Sequence, residues 1–415
     1  MVMLAAFIAS AEPIATNLTP ESAVAVALGK NLDLVAGRLA IRQAEGRLKQ
    51  AGLWSNPEWE TGYAPDTAFG NAGEYNFSTG FKQRFPITGR LAKAKTVARV
   101  DVALALAEVG NQERLLAGEV LGLGRGLLVT QEKLKANQGL QDTLQKVIEV
   151  SEKRLKAAEV SAADVNLAKL EWQKLTLAQA ALLNQQESAR TTFNRLLGRE
   201  PKTPLQISGT VSAELATNAL AEISQQAPAR RPDHQLAALG IDRAASEIKL
   251  ARAEKWEDWT VGFDYSRAVG KYDAPIGTKT DNFLGVGVSI PLPFWNQNQG
   301  RISEAQATRQ RAEAELDALD LRIHAETQTA EDQMLRLSGI LRQYRDESIK
   351  LAEENVGLLQ KGYGDGLVNL TAVIQAQQQL TDLRQSYLEA LGQFEQAWTD
   401  WQTATASFPL NQSKP

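Results

Sequence analysis

No proline occurs between Pro86 and Pro201, and none between Pro293 and Pro409. A proline inside a helix removes a backbone hydrogen bond and clashes with the preceding turn, at a cost of about 3 kcal/mol. These two windows are therefore free to run as very long helices, and their apolar pattern uses that freedom. In the second window Val373, Leu380, Tyr387, Phe394 and Trp401 recur every seven residues, flanked at the same spacing by Ala376, Leu383, Ala390 and Ala397. In the first window Val165, Trp172 and Phe193 share one seam, interrupted by the polar Gln179 and Gln186. The companion seam of Ala168, Leu175, Leu182, Ala189 and Leu196 is unbroken. Leu337, Tyr344, Leu351 and Leu358 predict a further seam on the helix before the second return arm. A sustained seven-residue repeat calls for helices wound around neighbours.

Each window is broken once. Gly362-Tyr363-Gly364-Asp365-Gly366 predicts a turn, because three glycines in five residues make a poor helix interior. Asn369 then reads as the N-cap of the returning helix. Ser161 holds the matching place in the first window, with Asp164 three residues on, close to a capping box. Each window thus predicts an antiparallel helical hairpin. A descending arm from Arg90 to Lys156 would be roughly 100 Å long at 1.5 Å per residue, far beyond the size of a compact domain.

The chain also reads as a duplication. Residues 33–59 overlay 233–259 without a gap, with identity at Asp33/Asp233, Ile41/Ile241, Ala44/Ala244, Lys49/Lys249, Ala51/Ala251 and Trp59/Trp259. Val165/Val373, Ala168/Ala376 and Leu175/Leu383 match at an offset of 208. So long a period marks a doubled half-protein rather than a solenoid.

Ahead of each hairpin lies a segment alternating with period two. Tyr75, Phe77, Thr79, Phe81 and Phe85 face one way, while Asn76, Ser78, Gly80, Lys82 and Arg84 face the other. Trp59, Thr61 and Tyr63 start a partner strand, joined through a turn at residues 66–73. In the second half Trp259, Val261, Phe263 and Tyr265 alternate with Thr260, Gly262, Asp264 and Ser266, and Leu284, Val286, Val288, Ile290 and Leu292 form the next strand. Four strands of ~9–11 residues, apolar on one face and polar on the other, fit transmembrane barrel strands. An amphipathic hairpin packed on a soluble core is the other reading of any one of them. Against it, the helices already use their own seams and leave no apolar surface to cover four such faces. Four strands cannot close a barrel, and lipid does not tolerate open sheet edges, so such a chain must oligomerise. Pro86, Pro291 and Pro293 stand where strand gives way to helix, and Gly89 and Gly300 are expected to relieve the turns before Arg90 and Arg301. Trp54, Trp256, Phe294 and Trp295 lie near strand ends, where amphipathic rings suit a membrane interface, or else pack as core.

Composition removes other classes. The net charge is −4, there is no cysteine, and only His234 and His324 are present. Disulfides and thiolate metal sites are excluded, and a histidine metal centre and a nucleic-acid surface are disfavoured. No serine–histidine–aspartate set or phosphate loop is visible, so neither enzyme nor cofactor is expected. Residues 1–11 resemble the apolar core and small-residue cleavage site of an export signal without its basic start, an incomplete signal; a helical or disordered N-terminus is the alternative. No other apolar run reaches the ~20 residues of a transmembrane helix.

Taken with the stretch Ser289-Ile-Pro-Leu-Pro-Phe-Trp-Asn-Gln-Asn-Gln-Gly-Arg301, with Arg231-Pro-Asp233 opening a helix and with Gly362–Gly366 before the return helix, these features resemble the TolC family of outer-membrane efflux proteins, and within it the subfamily serving cobalt-zinc-cadmium exporters. The resemblance implies a mainly α fold with a membrane β-barrel portion: long antiparallel coiled-coil hairpins plus four strands per protomer, three protomers forming a twelve-stranded barrel continued by an α-helical tunnel. It implies one structural repeat over 12–199 (β-hairpin 57–86, helical hairpin 90–198), an equatorial linker at 200–230, a second repeat over 231–407 (β-hairpin 258–293, helical hairpin 301–407) and a tail at 408–415.

Further expectations follow from the family. Glu60, Asn76, Ser78, Lys82, Arg84, Thr260, Asp264 and Ser289 would line the barrel lumen. A periplasmic gate would lie at the hairpin tips, with Asp164 at the family's acidic position, Ala372 and Gln375 where some relatives carry aspartates, and Asp365 as a substitute. Asp164 reads equally as a capping carboxylate. A periplasmic adaptor (membrane fusion) protein would dock near Lys156, Ser161, Gly364, Gly366 and Asn369. The implied partners are two further copies of the chain, that adaptor, an inner-membrane resistance-nodulation-division pump and outer-membrane lipid. The implied cargo is divalent heavy-metal cations; organic solutes or secreted peptides in the same channel, and a soluble coiled-coil scaffold, are the alternatives.

Overall fold

The structure is a computed structural model that describes residues 17–65, 73–213, 220–272, 275 and 277–408. The signal-like start, residues 66–72 of the predicted turn, part of the linker and nearly all of the tail lie outside the described residues. In chain order the elements are β1 (Asn17–Leu18), α1 (Pro20–Lys30), α2 (Leu32–Ala51), β2 (Glu58–Pro65), β3 (Tyr75–Phe85), α3 (Arg90–Lys156), α4 (Ala162–Leu196), β4 (Gln206–Ile207), α5 (Leu220–Gln225), α6 (Ala227–Arg230), α7 (Pro232–Ala253), β5 (Trp259–Tyr272), β6 (Gly277–Ser289), α8 (Gln299–Gln343), a π-helical turn (Tyr344–Ser348), α9 (Ile349–Gly364) and α10 (Leu370–Thr405). Each half runs helix, two strands, descending arm, return arm. The two compact units of the chain draw on both halves: one comprises Gly37–Val109 and Asp233–Leu319, the other Met1–Ala36, Gly110–Pro232 and Asp320–Pro415.

The first unit holds a four-stranded antiparallel sheet in the order β2-β3-β5-β6. Its strands are 8, 11, 14 and 13 residues long, so the second hairpin overshoots the predicted length while Ile290 and Leu292 fall outside it. Pro291 explains the stop, since it has no N–H to offer the ladder. The pairing puts Trp59, Phe81, Phe263 and Val286 in one row across all four strands, and Glu60, Gly80, Asp264 and Gly285 in the next row on the opposite face. Among the described residues nothing covers the apolar face: Phe263 is 60 % exposed, Val286 67 % and Leu284 84 %. Neighbouring rings contact one another along it, Trp59 stacked on Phe81 at 6.4 Å and Tyr63 beside Tyr75 at 5.6 Å. The two outer strands, β2 and β6, each have an open edge.

Two arginines anchor the descending arms of the same unit. Arg90, the first residue of α3, donates from Nε to Asp258 at 2.6 Å, just ahead of β5. Arg301, in the first turn of α8, is held by Glu247 of α7 at 3.1 Å and by Glu254, just past the end of that helix. Gly89 adopts the expected left-handed conformation (φ 65°). Gly300 does not: it lies inside α8, and Asn298 takes the left-handed position (φ 59°) instead. Asparagine tolerates that conformation when its side chain bonds locally or to nearby backbone, and here Asn298 Nδ2 donates to the Ala251 carbonyl at 2.7 Å.

The second unit is helical, and the predicted seams on α10 and α4 form its core. Phe394, Ala397 and Trp401 pack with Met334 and Leu341, while Val373, Leu370 and Ala168 pack with Leu144, Ile148 and Tyr363. Full burial of such side chains contributes about 1.5–3 kcal/mol each. Gln179, the polar break in the first seam, bonds Gln138 across the hairpin at 3.0 Å. The linker is ordered where described: β4 pairs in parallel with β1, and Leu220 of α5 joins the Trp401 cluster. The seam predicted through Leu337, Tyr344, Leu351 and Leu358 fails, since Leu351 and Leu358 are exposed. The π-helical turn inserts one residue, so the buried line runs instead through Met334, Leu341, Ile349, Val356 and Tyr363.

A buried ion pair gives this unit a pH dependence. Arg125 lies 3.6 Å from Glu395 and donates to Thr399 Oγ1 at 2.8 Å. Burial raises the Glu395 carboxyl above the ordinary carboxylate range, with Arg125 opposing in part. A raised folded-state value means that Glu395 contributes stability below the ordinary range and loses it as pH rises through the folded value. Glu395→Gln, which keeps a polar partner for Arg125, is expected to flatten that decline when detergent-solubilised protein is unfolded at a series of pH values from 4 to 8.

Candidate conduit wall and hairpin tips

The polar face of the sheet carries cross-strand ion pairs. Lys82 Nζ meets Glu60 at 2.5 Å and Arg84 meets Glu58 at 2.9 Å. Both pairs are about half exposed, so each is worth at most about 1 kcal/mol. They nevertheless place four charged heads on one side of the sheet. Thr260, Asp264, Ser266, Ser289, Asn76 and Ser78 share that side by the strand pairing. Between them run Gly62, Gly80, Gly262, Gly285 and Gly287, and all of these but Gly285 border, with Glu60, Lys82 and Asp264, a shallow groove. The predicted lumen residues thus occupy one face, opposite the bare aromatic one. That contrast is what a wall between lipid and water requires. Trp54, Trp256, Phe294 and Trp295 flank the strand ends and are exposed, Trp295 to 90 %.

The two hairpin tips share one geometry. At the first, Ala158 is left-handed (φ 56°), Glu159 N–H donates to the Arg154 carbonyl at 2.9 Å, and Ser161 caps α4. At the second, Gly366 is left-handed (φ 74°), Leu367 N–H donates to the Gly362 carbonyl at 2.8 Å, and Asn369 caps α10 through the Ala372 N–H at 2.9 Å. Every element of this match falls at the offset of 208 residues seen in the sequence. The glycine-rich run was expected to turn throughout, but α9 continues through Gly364. Only Gly366 needs glycine for its conformation, since alanine there carries a left-handed cost of roughly 1–2 kcal/mol.

Among the predicted tip residues, Asp164 is engaged in capping: its Oδ2 accepts from Ser161 Oγ at 2.7 Å, and its own N–H donates to Ser161 Oγ at 3.2 Å. Asp365 ends α9 with its N–H on the Lys361 carbonyl at 3.0 Å. Gln375, Lys156, Gly364, Gly366 and Asn369 are exposed.

The contact that joins the two tips involves a residue the sequence reading passed over. Arg154 of α3 donates to the carbonyls of Tyr363 at 2.7 Å and Gly364 at 2.9 Å, and its guanidinium sits 4.3 Å from the centre of the Tyr363 ring. The cation thereby satisfies carbonyls left open at the end of α9, where a positive charge is favoured. Tyr363 is buried, with its hydroxyl 3.3 Å from Ser151. Lys169 and Glu152 close the first hairpin at 2.6 Å.

Among the described residues no helix is long and apolar enough to cross a membrane, and no group of three or more His, Cys, Asp or Glu side chains could hold a metal ion. An open-edged amphipathic sheet and paired coiled-coil hairpins define a membrane channel component that crosses lipid as strands. Residues 223–407 match the family model of the outer membrane efflux protein. Over that stretch and in its fold the chain is similar to outer-membrane efflux channels of the TolC type, which lie in the Gram-negative outer membrane and extend into the periplasm. It is 25 % identical over 392 residues to the cobalt-zinc-cadmium resistance protein CzcC of Cupriavidus metallidurans, covering 92 % of this chain and 88 % of that protein. Its fold is similar to that of CusC, with a TM-score of 0.77 at 18 % identity over 93 % of this chain and 92 % of CusC. It is likewise similar to VceC of Vibrio cholerae, with a TM-score of 0.73 at 15 % identity over 93 % of this chain and 95 % of VceC. Channels of this family are passive, form trimers and work in tripartite pumps.

Proposed function

We propose that three copies of this chain join β2 to β6 around a common axis, and that the resulting pore is the exit duct of a tripartite system exporting divalent heavy-metal cations. The open edges of the sheet, with an apolar face left bare beside them, carry the assembly: unpaired backbone groups cannot stand in lipid, and two more copies supply the missing neighbours. The metal cargo is supported by the resemblance to CzcC over most of both chains. In this reading a periplasmic adaptor docks at the exposed tips around Lys156, Ser161, Gly364, Gly366 and Asn369, and an inner-membrane resistance-nodulation-division pump delivers the cargo. The gate lies at the same tips. Asp164 and Asp365 contribute charge there, Gln375 lines it, and the Arg154–Tyr363 contact holds the two hairpins together.

Specificity for a metal then belongs to the pump, because the described residues of the duct offer no metal-binding cluster. Deleting the gene is expected to lower tolerance to zinc, cobalt or cadmium severalfold in growth titrations while leaving antibiotic tolerance unchanged. Loss of antibiotic tolerance with metal tolerance intact would instead assign the duct to organic solutes.

A further inference from the structure

Charges on the polar face of the sheet are arranged so that nearly all of them cancel locally. Glu60 is paired with Lys82, Glu58 with Arg84, and Lys279 with Asp281 at 3.2 Å. Asp264 stands apart. It lies at the middle of β5 on this face, between Gly80 of β3 and Gly285 of β6. Among the described residues it has neither an ion-pair nor a hydrogen-bond partner.

Its setting keeps the carboxylate bare. A Cβ on Gly285 would come within 2.5 and 2.6 Å of its two oxygens, so any larger residue there would push the carboxylate aside. A Cβ on Gly80 would meet the Phe263 carbonyl oxygen at 2.7 Å. Gly80 is thus held to glycine by backbone sterics, whereas glycine at 285 leaves the carboxylate room to lie where it does. As glycines, neither carries a donor to Asp264 or a side chain that would cover it.

We infer that Asp264 is the charge-selectivity residue of the barrel, acting as a ring of three carboxylates in a wall that is otherwise neutral and favouring cations over anions in passage. The inference rests on the trimeric reading above, which turns this face inward. Rings of charged side chains are a general means of ion selection. Their reach depends on salt: the screening length is about 30 Å at 0.01 M and about 3 Å at 1 M. The wide part of a pore therefore feels the ring only in dilute salt.

Purified full-length protein reconstituted in planar bilayers tests this through the reversal potential in a potassium chloride gradient. At about 0.01 M salt the wild type is expected to favour potassium over chloride, with the permeability ratio falling about twofold or more in Asp264→Asn and the difference vanishing near 1 M. The balanced variant Glu60→Gln/Lys82→Gln is expected to keep the wild-type ratio. Because the chain has no cysteine, Asp264→Cys supplies a single thiol. A sulfonate-bearing thiol reagent is expected to restore cation preference, and a quaternary ammonium reagent to reverse it. Conducting pores whose ratio ignores both Asp264→Asn and the sign of the attached group would overturn the role of Asp264 and leave the trimeric channel standing. Absence of any trimer on cross-linking of the reconstituted wild type would overturn the trimeric reading itself.

Discussion

Phe263→Arg is expected to abolish assembly in the outer membrane, while Ser266→Lys on the other face of the same strand leaves assembly intact. Phe263 belongs to the row of Trp59, Phe81 and Val286, all more than half exposed in the single chain. An arginine facing lipid near the midplane costs about 2–4 kcal/mol, and a trimer pays it at three places, on the order of 6–12 kcal/mol per barrel. Most folded proteins have a total stability of about 5–15 kcal/mol, so the loss is comparable with the whole margin. Ser266 pairs with Ser78 and Phe283 on the polar face, where a lysine head meets water. The readout is the heat-dissociable trimer in outer-membrane fractions, resolved by electrophoresis with and without boiling. Normal trimer from Phe263→Arg would show that the aromatic face does not meet lipid.

Much of this arrangement is legible in the sequence because strand alternation has a period of two and declares both faces at once. Glu60, Lys82 and Asp264 can be placed on one side before any pairing is known. The pairing itself cannot, since nothing in the composition of β3 states that β5 will be its second neighbour. The length of β5 was hidden for a different reason. Arg267 occupies an apolar-face position, opposite Phe77 and Asn282, and breaks the pattern; beyond it the strand continues on backbone pairing alone to Tyr272. At the tips, both N-caps were readable from local chemistry. The bond from Arg154 to Tyr363 and Gly364 was not, because it joins residues 209 and 210 apart. A usable signal was present: the common offset of 208 aligned the two tips and marked Arg154 beside the end of its arm.

Deleting Asp346 is expected to leave the helical unit folded, whereas deleting Gly392 destroys it. Both remove one residue from a long helix, and the difference lies in the spacing of the buried line. Met334, Leu341, Ile349, Val356 and Tyr363 are spaced seven, eight, seven and seven residues apart, and the eighth residue is absorbed by the π-helical turn at Tyr344–Ser348. Removing exposed Asp346, whose side chain pairs with its neighbour Arg345 at 3.2 Å, converts the turn to ordinary α-helix and keeps both flanks in register. In α10 the spacing is seven throughout and no slack exists. Loss of Gly392 rotates everything beyond it by about 100°, one residue at 3.6 per turn. That swings Phe394, Ala397 and Trp401 out of the cluster with Met334 and Leu341, and separates Glu395 from Arg125. Displacing a buried Phe and Trp alone costs about 3–5 kcal/mol each. Melting of the purified protein followed by circular dichroism distinguishes the two: the Asp346 deletion should melt within a few degrees of wild type, and the Gly392 deletion should yield no cooperative transition. Equal damage from both would mean that the π-helical turn is demanded by its surroundings and does not simply absorb one extra residue between two heptad seams.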